Sequence, residues 1–300
     1  MPEAFELALF GALRAQAGLR WGEPLIYRAE TGSTSDDALA AARQGQASGS
    51  VFLAEHQTQG RGRRGRHWHA ASGQSLLFSV LLRPHHDAAA PGAGRAPGNS
   101  AGGALTLAVG LGVRAALARH SQLPLSVKWP NDILCERRKL AGILCESQLQ
   151  GAHTSAIVIG IGINVGAQSF SAELAPSSVC LAELAGDAAR LSREAPSREA
   201  PSREALLVAV LGEVERRVSA CMDGAETTTL PLGTPELPDL RALLAEFRQH
   251  DALRDRRVQV SGARELTGIA RGVDDEGRLL LETEGIVLPV HSGTVRLLEQ

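Results

Sequence analysis

The run Ser75–Arg83 reads SLLFSVLLR and carries no charge before its last residue. A continuous apolar run of this length is typical of a strand that is buried on both faces of a sheet. Such a strand needs other elements to cover it, and a chain of 300 residues with 44% hydrophobic content is long enough to provide them. The run therefore predicts a buried strand in a chain that can bury a large core.

Further strand-like and helical segments alternate along the chain. Short apolar runs predict strands at Leu25–Tyr27, Val51–Gln57, Leu125–Trp129, Lys139–Gln148 and Ser155–Ile163. Apolar spacing and N-cap residues predict helices over 4–17, after Ser33, and over Leu105–His120, Leu206–Met222 and Leu240–His250. From Arg257 onward short strands alternate with turn residues, at 274–277 and at 284–285, which indicates a small β-barrel of SH3-like size.

Composition divides the chain into two domains and three irregular segments. We predict a larger domain over residues 1–250 and a smaller one over 251–300. Residues 86–103 read as a Pro/Gly/Ala-rich loop, residues 192–205 repeat Ser-Arg-Glu-Ala-Pro, and residues 223–238 read as a linker. We expect the first two of these segments to be insertions without chemistry.

Charge and cysteine usage exclude several functional classes. The net charge is −2, so no global basic field points to nucleic acid. The cysteines form no CxxC pair and do not resemble a disulfide framework, which favours reduced cytosolic thiols. The N-terminus lacks the apolar core of a signal peptide, and no stretch reaches the apolar length of a membrane helix. We therefore expect a cytoplasmic protein with no membrane partner.

A glycine-spaced arginine loop, Gly60–Trp68 (GRGRRGRHW), follows the apolar run that begins at Val51. Glycines let a backbone approach a ligand closely, and arginines offer planar donors that suit phosphate and carboxylate. The spacing formally matches the dinucleotide fingerprint, but no helix-like segment opens there and no acidic residue stands at the expected distance. The loop predicts an anion site, while a flexible nucleic-acid contact remains an alternative.

Three later segments also carry polar groups between apolar runs: Lys128–Leu134 (KWPNDIL), Arg138–Leu144 (RKLAGIL) and Gly160–Val165 (GIGINV). A lysine that enters a turn beside an asparagine and an aspartate suits the handling of triphosphate and Mg²⁺. Taken singly, Lys128–Leu134 is equally compatible with a plain hairpin turn. Alone, Arg138–Leu144 favours a solvated lysine, and Gly160–Val165 favours a structural turn.

These segments, in this order, resemble biotin–protein ligases. The matching positions are Gly32–Ser35, Gln57, Gly60–Trp68, Lys128–Asp132, Arg138–Leu144, Gly160–Val165 and, near the C-terminus, Gly268–Leu281. The resemblance implies an α+β fold: a mixed or antiparallel central sheet with helices, of the class II synthetase-like biotin/lipoate ligase type, plus a small C-terminal SH3-like β-barrel. Residues 1–250 would then form the catalytic domain.

The resemblance implies a ligase that forms an amide bond in two steps. Biotin, the substrate, and MgATP first give biotinyl-5′-AMP and pyrophosphate. A lysine of biotin carboxyl carrier protein, a subunit of acetyl-CoA carboxylase, then attacks the mixed anhydride and releases AMP. The implied cofactors are ATP and Mg²⁺, and we expect no metal centre held by the protein itself.

Matching positions supply the expected site. The biotin-binding residues are Ser33, Thr34, Ser35, Gln57, Arg61, Gly62, Arg63 and Lys139. The nucleotide-binding residues are Arg61, Arg63, Arg66, Trp68, Lys128, Asn131 and Asn164. We predict that Arg63, Lys128 and Lys139 are catalytic, because cationic groups offset the repulsion between a carboxylate and an α-phosphate. The arginine-glycine loop would close over the anhydride and exclude water.

The family also raises expectations about partners. Some members carry an N-terminal winged helix that represses biotin genes, but only about thirty residues precede Ser33, too few for such a domain. We therefore predict a monofunctional ligase that does not bind DNA. Family members dimerise through edge contacts of the central sheet, so the resemblance is compatible with a homodimer.

Three alternatives stay open. A lipoate–protein ligase or octanoyl transferase shares the fold, although we would not expect it to carry the arginine-glycine loop together with Lys128–Asp132. A nucleic-acid-binding protein could use the same loop with the β-barrel. An inactive, biotin-sensing relative is the third reading, but all the expected basic positions are present.

Overall fold

The computed structural model describes residues 4–84, 99–150, 153–191, 202–222, 240–262 and 264–298. The helices are α1 (Leu7–Gln16), α2 (Thr34–Arg43), α3 (Asn99–Ser121), α4 (Leu181–Leu191), α5 (Arg203–Met222) and α6 (Leu240–His250). The strands of the central sheet are β1 (Leu25–Thr31), β2 (Val51–Gln57), β3 (Ser75–Leu82), β4 (Leu125–Lys128), β5 (Asp132–Cys135), β6 (Arg138–Gln150) and β7 (His153–Asn164). The C-terminal strands are β8 (Arg257–Ser261), β9 (Glu265–Val273), β10 (Leu279–Thr283), β11 (Ile286–Val290) and β12 (Thr294–Leu297).

The central sheet has seven strands in the order β1-β2-β3-β7-β6-β5-β4. Only the β1–β2 pair among these is parallel, and the other pairs are antiparallel. The predicted α+β class with a mixed sheet is therefore confirmed. Strand β3 lies near the middle of the sheet and every one of its residues is buried, as its uncharged run predicted.

Helices cover both faces of this sheet. On one face, Ala38 and Ala42 of α2 pack with Phe52 and Leu81 in a small buried cluster. On the other face, helices α3 and α5 pack against each other over the large core that contains Phe78. Because successive side chains of a strand point to opposite faces, β3 contributes to both cores.

Two predicted segment boundaries are wrong. Residues 99–103, assigned to the loop, belong to α3, although the helix there contains glycine. The helix packs here against the turn at Gly277, since a Cβ at Gly277 would lie 3.3 Å from the Ala104 backbone nitrogen. Residues 203–205 likewise belong to α5, where Arg203 Nη2 donates to Glu55 Oε1 at 3.1 Å. Tertiary contacts thus override the local composition.

The rest of the predicted irregular segments falls mainly outside the described residues. Positions 85–98, 192–201 and 223–239 are not described, so the linker over 223–238 has no structural account. Two elements were not predicted at all, namely β5 and α4. Strand β5 is only four residues long and begins at Asp132, inside the segment whose Asn-Asp pair favoured a turn.

The C-terminal strands form a five-stranded antiparallel sheet in the order β11-β10-β9-β8-β12. The predicted turns are present, with positive φ at Gly277 and at Glu284 and Gly285. Trp129 joins this sheet to the larger one, because its Nε1 donates to the Gly277 carbonyl oxygen at 2.9 Å. Within the described residues, no helix combines the length and apolar character that crossing a membrane requires.

Candidate active site

A cleft of about 310 Å³ opens on the α2 face of the central sheet. All of the residues predicted for the site line it, although they come from segments spread over more than a hundred positions of the chain. They are Ser33, Thr34, Ser35, Gln57, Arg61, Gly62, Arg63, Arg66, Trp68, Lys128, Asn131, Lys139 and Asn164. The structure therefore brings the predicted set together in one cleft.

Glycines on two adjacent strands form the floor of the cleft. Gly142 of β6 pairs with Gly162 of β7, and Gly142 also pairs with Asp132 of β5 on its other side. The Trp68 ring lies on this floor, since a Cβ at Gly142 or Gly162 would come within 2.8 or 2.6 Å of it. Only glycine allows so close an approach, which explains two of the glycines in the sequence motifs.

Polar side chains at the start of α2 form one wall. The backbone N–H of Thr34 donates to Gln57 Oε1 at 2.8 Å, and the Thr34 hydroxyl lies 3.1 Å from the same oxygen. Both Thr34 and Ser35 contact the hydroxyl of Ser79, a fully buried residue of β3. Sequence reasoning missed Ser79, because a serine inside an apolar strand carries no motif.

The arginine-glycine loop closes over the cleft as a small hairpin. Gly62 N donates to the Arg66 carbonyl oxygen at 2.7 Å, and Arg61 forms an isolated antiparallel bridge with His67. A short 3₁₀ turn lies between them, with Arg64 at φ 57°. Trp68 completes the hairpin, since its backbone N–H donates to the Gly60 carbonyl oxygen at 2.9 Å. The loop is thus an ordered turn, unlike the strand–turn–helix of a dinucleotide site.

The arginines of this loop have different partners. Arg61 pairs with Asp36 and Glu146, and burial raises the pKa of that glutamate despite the arginine. Arg63 Nη1 donates to Asn131 Oδ1 at 3.4 Å. Arg64 points away from the cleft and donates to the Ser261 carbonyl oxygen of β8, so it anchors the loop to the C-terminal sheet.

Positive charge dominates the lining. Its cations are Arg61, Arg63, Arg66, Lys128, Arg137 and Lys139, and its one carboxylate among the described residues is Asp132. Lys139 Nζ lies 2.7 Å from Asp132 Oδ1 and 5.2 Å from the centre of the Trp68 ring. Such a concentration of cations in a concave, partly desolvated site attracts an anionic ligand.

Burial changes the acidity of two of these cations. It lowers the pKa of the Lys128 ammonium, an effect that Asp132 opposes and that Lys139 and Arg66 reinforce. It also lowers the pKa of the Arg63 guanidinium, with further lowering from Arg64. Burial removes water from both cations, and this loss disfavours their charged forms. An anionic ligand in the cleft would replace the lost water and stabilise the charges.

The two asparagines of the predicted site have backbone partners. Asn131 Nδ2 donates to the Ile143 carbonyl oxygen at 2.8 Å, and Asn164 Nδ2 donates to the Val179 carbonyl oxygen at 3.0 Å. Their amides therefore hold β6 and the segment after β7 in place at the rim of the cleft. Asn131 Oδ1 still faces the Arg63 guanidinium.

Several lining residues were not predicted. The segment after β7 contributes Phe170, Leu174, Ser177 and Ser178. It is held against β6, because Val179 N donates to the Lys139 carbonyl oxygen at 3.0 Å. No sequence motif marks this segment. Arg137, by contrast, directly precedes the Arg138–Leu144 segment, and its positive charge was the signal that could have identified it.

Comparison with known proteins agrees with this geometry. Residues 31–164 match the biotin/lipoate A/B protein ligase family, and residues 255–298 match the biotin protein ligase C-terminal domain. A solved biotin protein ligase from Aquifex aeolicus, in complex with biotin and ATP, superimposes with a TM-score of 0.69 at 24% identity. The match covers 92% of this chain and 99% of that one, and at this identity it supports the fold alone.

Two curated relatives carry the family assignment. The bifunctional ligase/repressor BirA of Escherichia coli K12 is 30% identical over 251 residues, covering 83% of this chain and 67% of that protein. The biotin–[acetyl-CoA-carboxylase] ligase of Mycobacterium tuberculosis is 33% identical over 285 residues, covering 93% of this chain and 90% of that protein. With the paired domains and the assembled cleft, this similarity shows that the chain belongs to the biotin protein ligase family and is a biotin ligase.

Proposed function

We propose that this enzyme activates biotin with MgATP and transfers it to a lysine of a biotin carboxyl carrier protein. The observation that carries the proposal is the convergence, in one cleft, of the polar wall at Thr34, the arginine-glycine loop and both cleft lysines. The name of the M. tuberculosis relative, a biotin–[acetyl-CoA-carboxylase] ligase, supports the same carrier.

In the first step the biotin carboxylate attacks the α-phosphorus of ATP, and pyrophosphate leaves. Two anions must approach each other, so positioned cations stabilise the charge that develops in the transition state. Arg63, Lys128 and Lys139 are the residues we assign to this task, since all three line the cleft. Arg66, Trp68, Asn131 and Asn164 would border the nucleotide.

In the second step the neutral ε-amine of the carrier lysine attacks the carbonyl carbon of biotinyl-5′-AMP. An amide bond forms, the anhydride bond breaks, and AMP and a proton are released. The anhydride must be shielded from water until the carrier arrives. The loop hairpin above the cleft suits this task, with Arg61, Gly62 and Arg63 over the acyl adenylate. Ser33, Thr34, Ser35 and Gln57 would hold the biotin head.

The residues present fit Mg²⁺ delivered with ATP. In nucleotide sites Mg²⁺ is held mainly by phosphate oxygens and water, with one or two carboxylates from the protein. Asp132 Oδ1 is buried and receives no well-aligned hydrogen bond from its described neighbours, although Lys139 Nζ lies 2.7 Å away. Asp132 would be the protein ligand, and Mg²⁺ would neutralise phosphate charge.

A transfer assay tests the proposal. The enzyme is incubated with ATP, labelled biotin and the carrier domain of an acetyl-CoA carboxylase, and labelling of the carrier is measured. We expect ATP-dependent transfer of biotin and no transfer of lipoate or octanoate. Activation of lipoate in place of biotin would favour the lipoate ligase alternative. Steeply salt-dependent binding of nucleic acid without any transfer would favour the nucleic-acid alternative.

We also propose that residues 1–250 form the catalytic domain and residues 251–300 the C-terminal domain. The antiparallel C-terminal strands begin at Arg257, a few residues after α6 ends at His250, which supports a division in this region. Asp251 still forms an isolated bridge with Val127 of the central sheet, so it lies in the connection between the two domains.

Three further expectations complete the proposal. Cys135, Cys145 and Cys180 are free thiols, which supports action in the reducing cytoplasm. Strand β1 is one edge of the central sheet, and the other edge, β4, already bonds through Val127 with the segment after α6, so we expect two copies to pair through β1. Analytical ultracentrifugation would test whether the protein dimerises. We expect no biotin-dependent operator binding in a gel-shift assay.

A further inference from the structure

Four side chains, two from the start of α2 and one each from β2 and β3, form a continuous chain of hydrogen bonds. Gln57 Oε1 contacts the Thr34 hydroxyl at 3.1 Å, Thr34 Oγ1 lies 2.9 Å from Ser79 Oγ, and Ser79 Oγ lies 3.1 Å from Ser35 Oγ. We call this set the hydroxyl relay. Ser35, Thr34 and Gln57 line the cleft, whereas Ser79 stands behind them and is fully buried.

The direction of each hydrogen bond in the relay follows from one backbone contact. The Thr34 N–H can only donate, so the Gln57 atom 2.8 Å away must be the amide oxygen. That oxygen can only accept, so the Thr34 hydroxyl donates to it. The Thr34 proton is then engaged, and Ser79 must donate to Thr34. The Ser79 proton is engaged in turn, and Ser35 must donate to Ser79.

This direction determines what the wall presents to a ligand. Ser35 has used its proton on Ser79, so it offers only lone pairs to the cleft. Gln57 has turned its oxygen inward, so its Nε2 remains a donor. The wall therefore pairs an acceptor with a donor, which suits a ligand group that carries an N–H beside a carbonyl.

The relay also needs space at the sheet. Gly160 of β7 pairs with Ser79 of β3, and a Cβ at Gly160 would lie 2.7 Å from Ser35 Oγ. A larger residue there would displace the Ser35 hydroxyl. The glycine thus keeps Ser35 in contact with Ser79.

We propose that Ser79 is a positioning residue that determines ligand specificity by setting Ser35 as a hydrogen-bond acceptor. The inference rests on the proposed function, in which the ligand is the cyclic urea of biotin. A urea offers N–H donors to Ser35. A cyclic carbamate has a ring oxygen in place of one N–H, so the lone pairs of that oxygen would face the lone pairs of Ser35 Oγ. A site built to accept from the N–H therefore rejects the carbamate.

Substitution of Ser79 tests the inference. Pyrophosphate exchange is measured with biotin and with its two carbamate analogues, in wild type and in Ser79→Ala. Without Ser79, the Ser35 proton is free to meet a ring oxygen. Of the two carbamates, the one that wild type rejects more strongly is compared with biotin. We expect the ratio of kcat/KM for biotin to kcat/KM for this carbamate to fall about tenfold in Ser79→Ala, the value of one hydrogen bond. The KM for biotin should rise while kcat stays near wild type.

Matched variants separate this effect from general damage. Ser79→Thr keeps the hydroxyl and should restore the wild-type preference. Ser50→Ala removes an equally buried hydroxyl that donates to the Ala47 carbonyl oxygen at 2.7 Å, outside the relay, and should leave the preference unchanged. Ser79→Cys, with a weak S–H donor, replaces Ser79→Ala if the alanine variant does not fold.

The outcomes are distinct. Normal exchange with biotin in wild type, together with an unchanged preference in Ser79→Ala and Ser79→Cys, would overturn the role of Ser79 and leave the proposed function standing. Absence of any exchange with biotin in wild type would instead overturn the proposed function, and the inference with it.

Discussion

The sequence contains two lysines, Lys128 and Lys139, and both line the cleft. Every other permanently cationic side chain is an arginine, whose planar fork favours fixed bidentate contacts. A lysine is a compact point charge on a flexible stem. In the proposed reaction the charge at these two positions follows oxygens that move as the carboxylate and the α-phosphate react, which suits lysine.

Replacement of Lys139 by alanine should depress adenylate formation. We expect pyrophosphate exchange to fall about 10²- to 10³-fold, as when a preorganised donor is lost from a transition state. The change also leaves Asp132 without the ammonium 2.7 Å away, which adds repulsion toward phosphate. The control is Arg138→Ala, because Arg138 directly precedes Lys139 on β6 but does not line the cleft. Wild-type exchange in Lys139→Ala would remove this residue from the site.

The lowered pKa of Lys128 predicts a basic limit to activity. Burial disfavours the ammonium, so Lys128 loses its proton at a pH below 10.5, the ordinary value for lysine. If the ammonium is needed, kcat/KM for adenylation falls as pH rises through that lowered pKa. In Lys128→Arg, the charge persists to higher pH, and we expect the fall to move upward even if the rate is lower. A pH profile with the same basic limb in both enzymes would contradict this.

At the scale of the element, the arginine-glycine loop is an ordered hairpin with contacts on two sides. Arg63 faces the cleft, whereas its neighbour Arg64 is anchored to Ser261 of the C-terminal sheet. The left-handed conformation at Arg64, φ 57°, turns adjacent arginines to opposite sides. The loop sequence predicted an anion site, but it did not show that the arginines divide their contacts between the ligand and the second sheet.

Arg63→Ala should loosen retention of the adenylate while the fold stays intact. The Arg63 side chain is partly exposed, and it donates a long hydrogen bond to Asn131 Oδ1 at 3.4 Å. The free energy of unfolding should therefore depend little on this side chain. We expect biotinyl-5′-AMP to dissociate at least about tenfold faster, the effect of one charged hydrogen bond. Release of labelled adenylate is measured beside the thermal midpoint, with exposed Arg43→Ala as control. Unchanged dissociation would count against the role of Arg63 as a lid.

At the scale of the whole molecule, the C-terminal sheet contacts segments that carry the cleft residues, although none of its own described residues lines the cleft. Trp129, inside a site motif, donates to the Gly277 carbonyl oxygen, and α3 packs against the same turn, where a Cβ at Gly277 would lie 3.3 Å from the Ala104 backbone nitrogen. Asp251 lies at this junction, where its Oδ1 accepts from Leu253 N at 2.8 Å. Its Oδ2 is buried and has no hydrogen-bond partner among the described residues. Burial raises the pKa of Asp251 to about 6.

The raised pKa of Asp251 predicts a pH-dependent stability. The folded state binds this proton more tightly than the unfolded state does, so the contribution of Asp251 to the free energy of unfolding falls as pH rises from about 4 to 6. By pH 7 the loss is on the order of 2 kcal/mol. Urea unfolding at pH 4.5 and 7 should show this loss in wild type and in exposed Asp275→Asn, but not in Asp251→Asn. Parallel pH dependence in all three proteins would refute it.

The sequence by itself determined most of the elements and many of the residues that line the cleft, and its resemblance to biotin–protein ligases predicted the class of fold. Apolar periodicity is a local property, so the uncharged run of β3 and the short C-terminal strands could be recognised without tertiary information. The motif residues could be named because their types and order are unusual. Helices α3 and α5 were predicted, but their N-terminal ends were placed too late, because packing against distant residues overrides local composition there.

Only the tertiary structure decided which residues face each other. Gly142 and Gly162 form a floor because β6 and β7 pair in one register, and a shift by one residue would turn both to the other face. Ser79 reaches Thr34 and Ser35 because β3 lies under α2, and Arg64 reaches Ser261 because the two sheets meet. Such contacts join positions far apart in the chain, and strand order and register, which no local pattern encodes, bring them together.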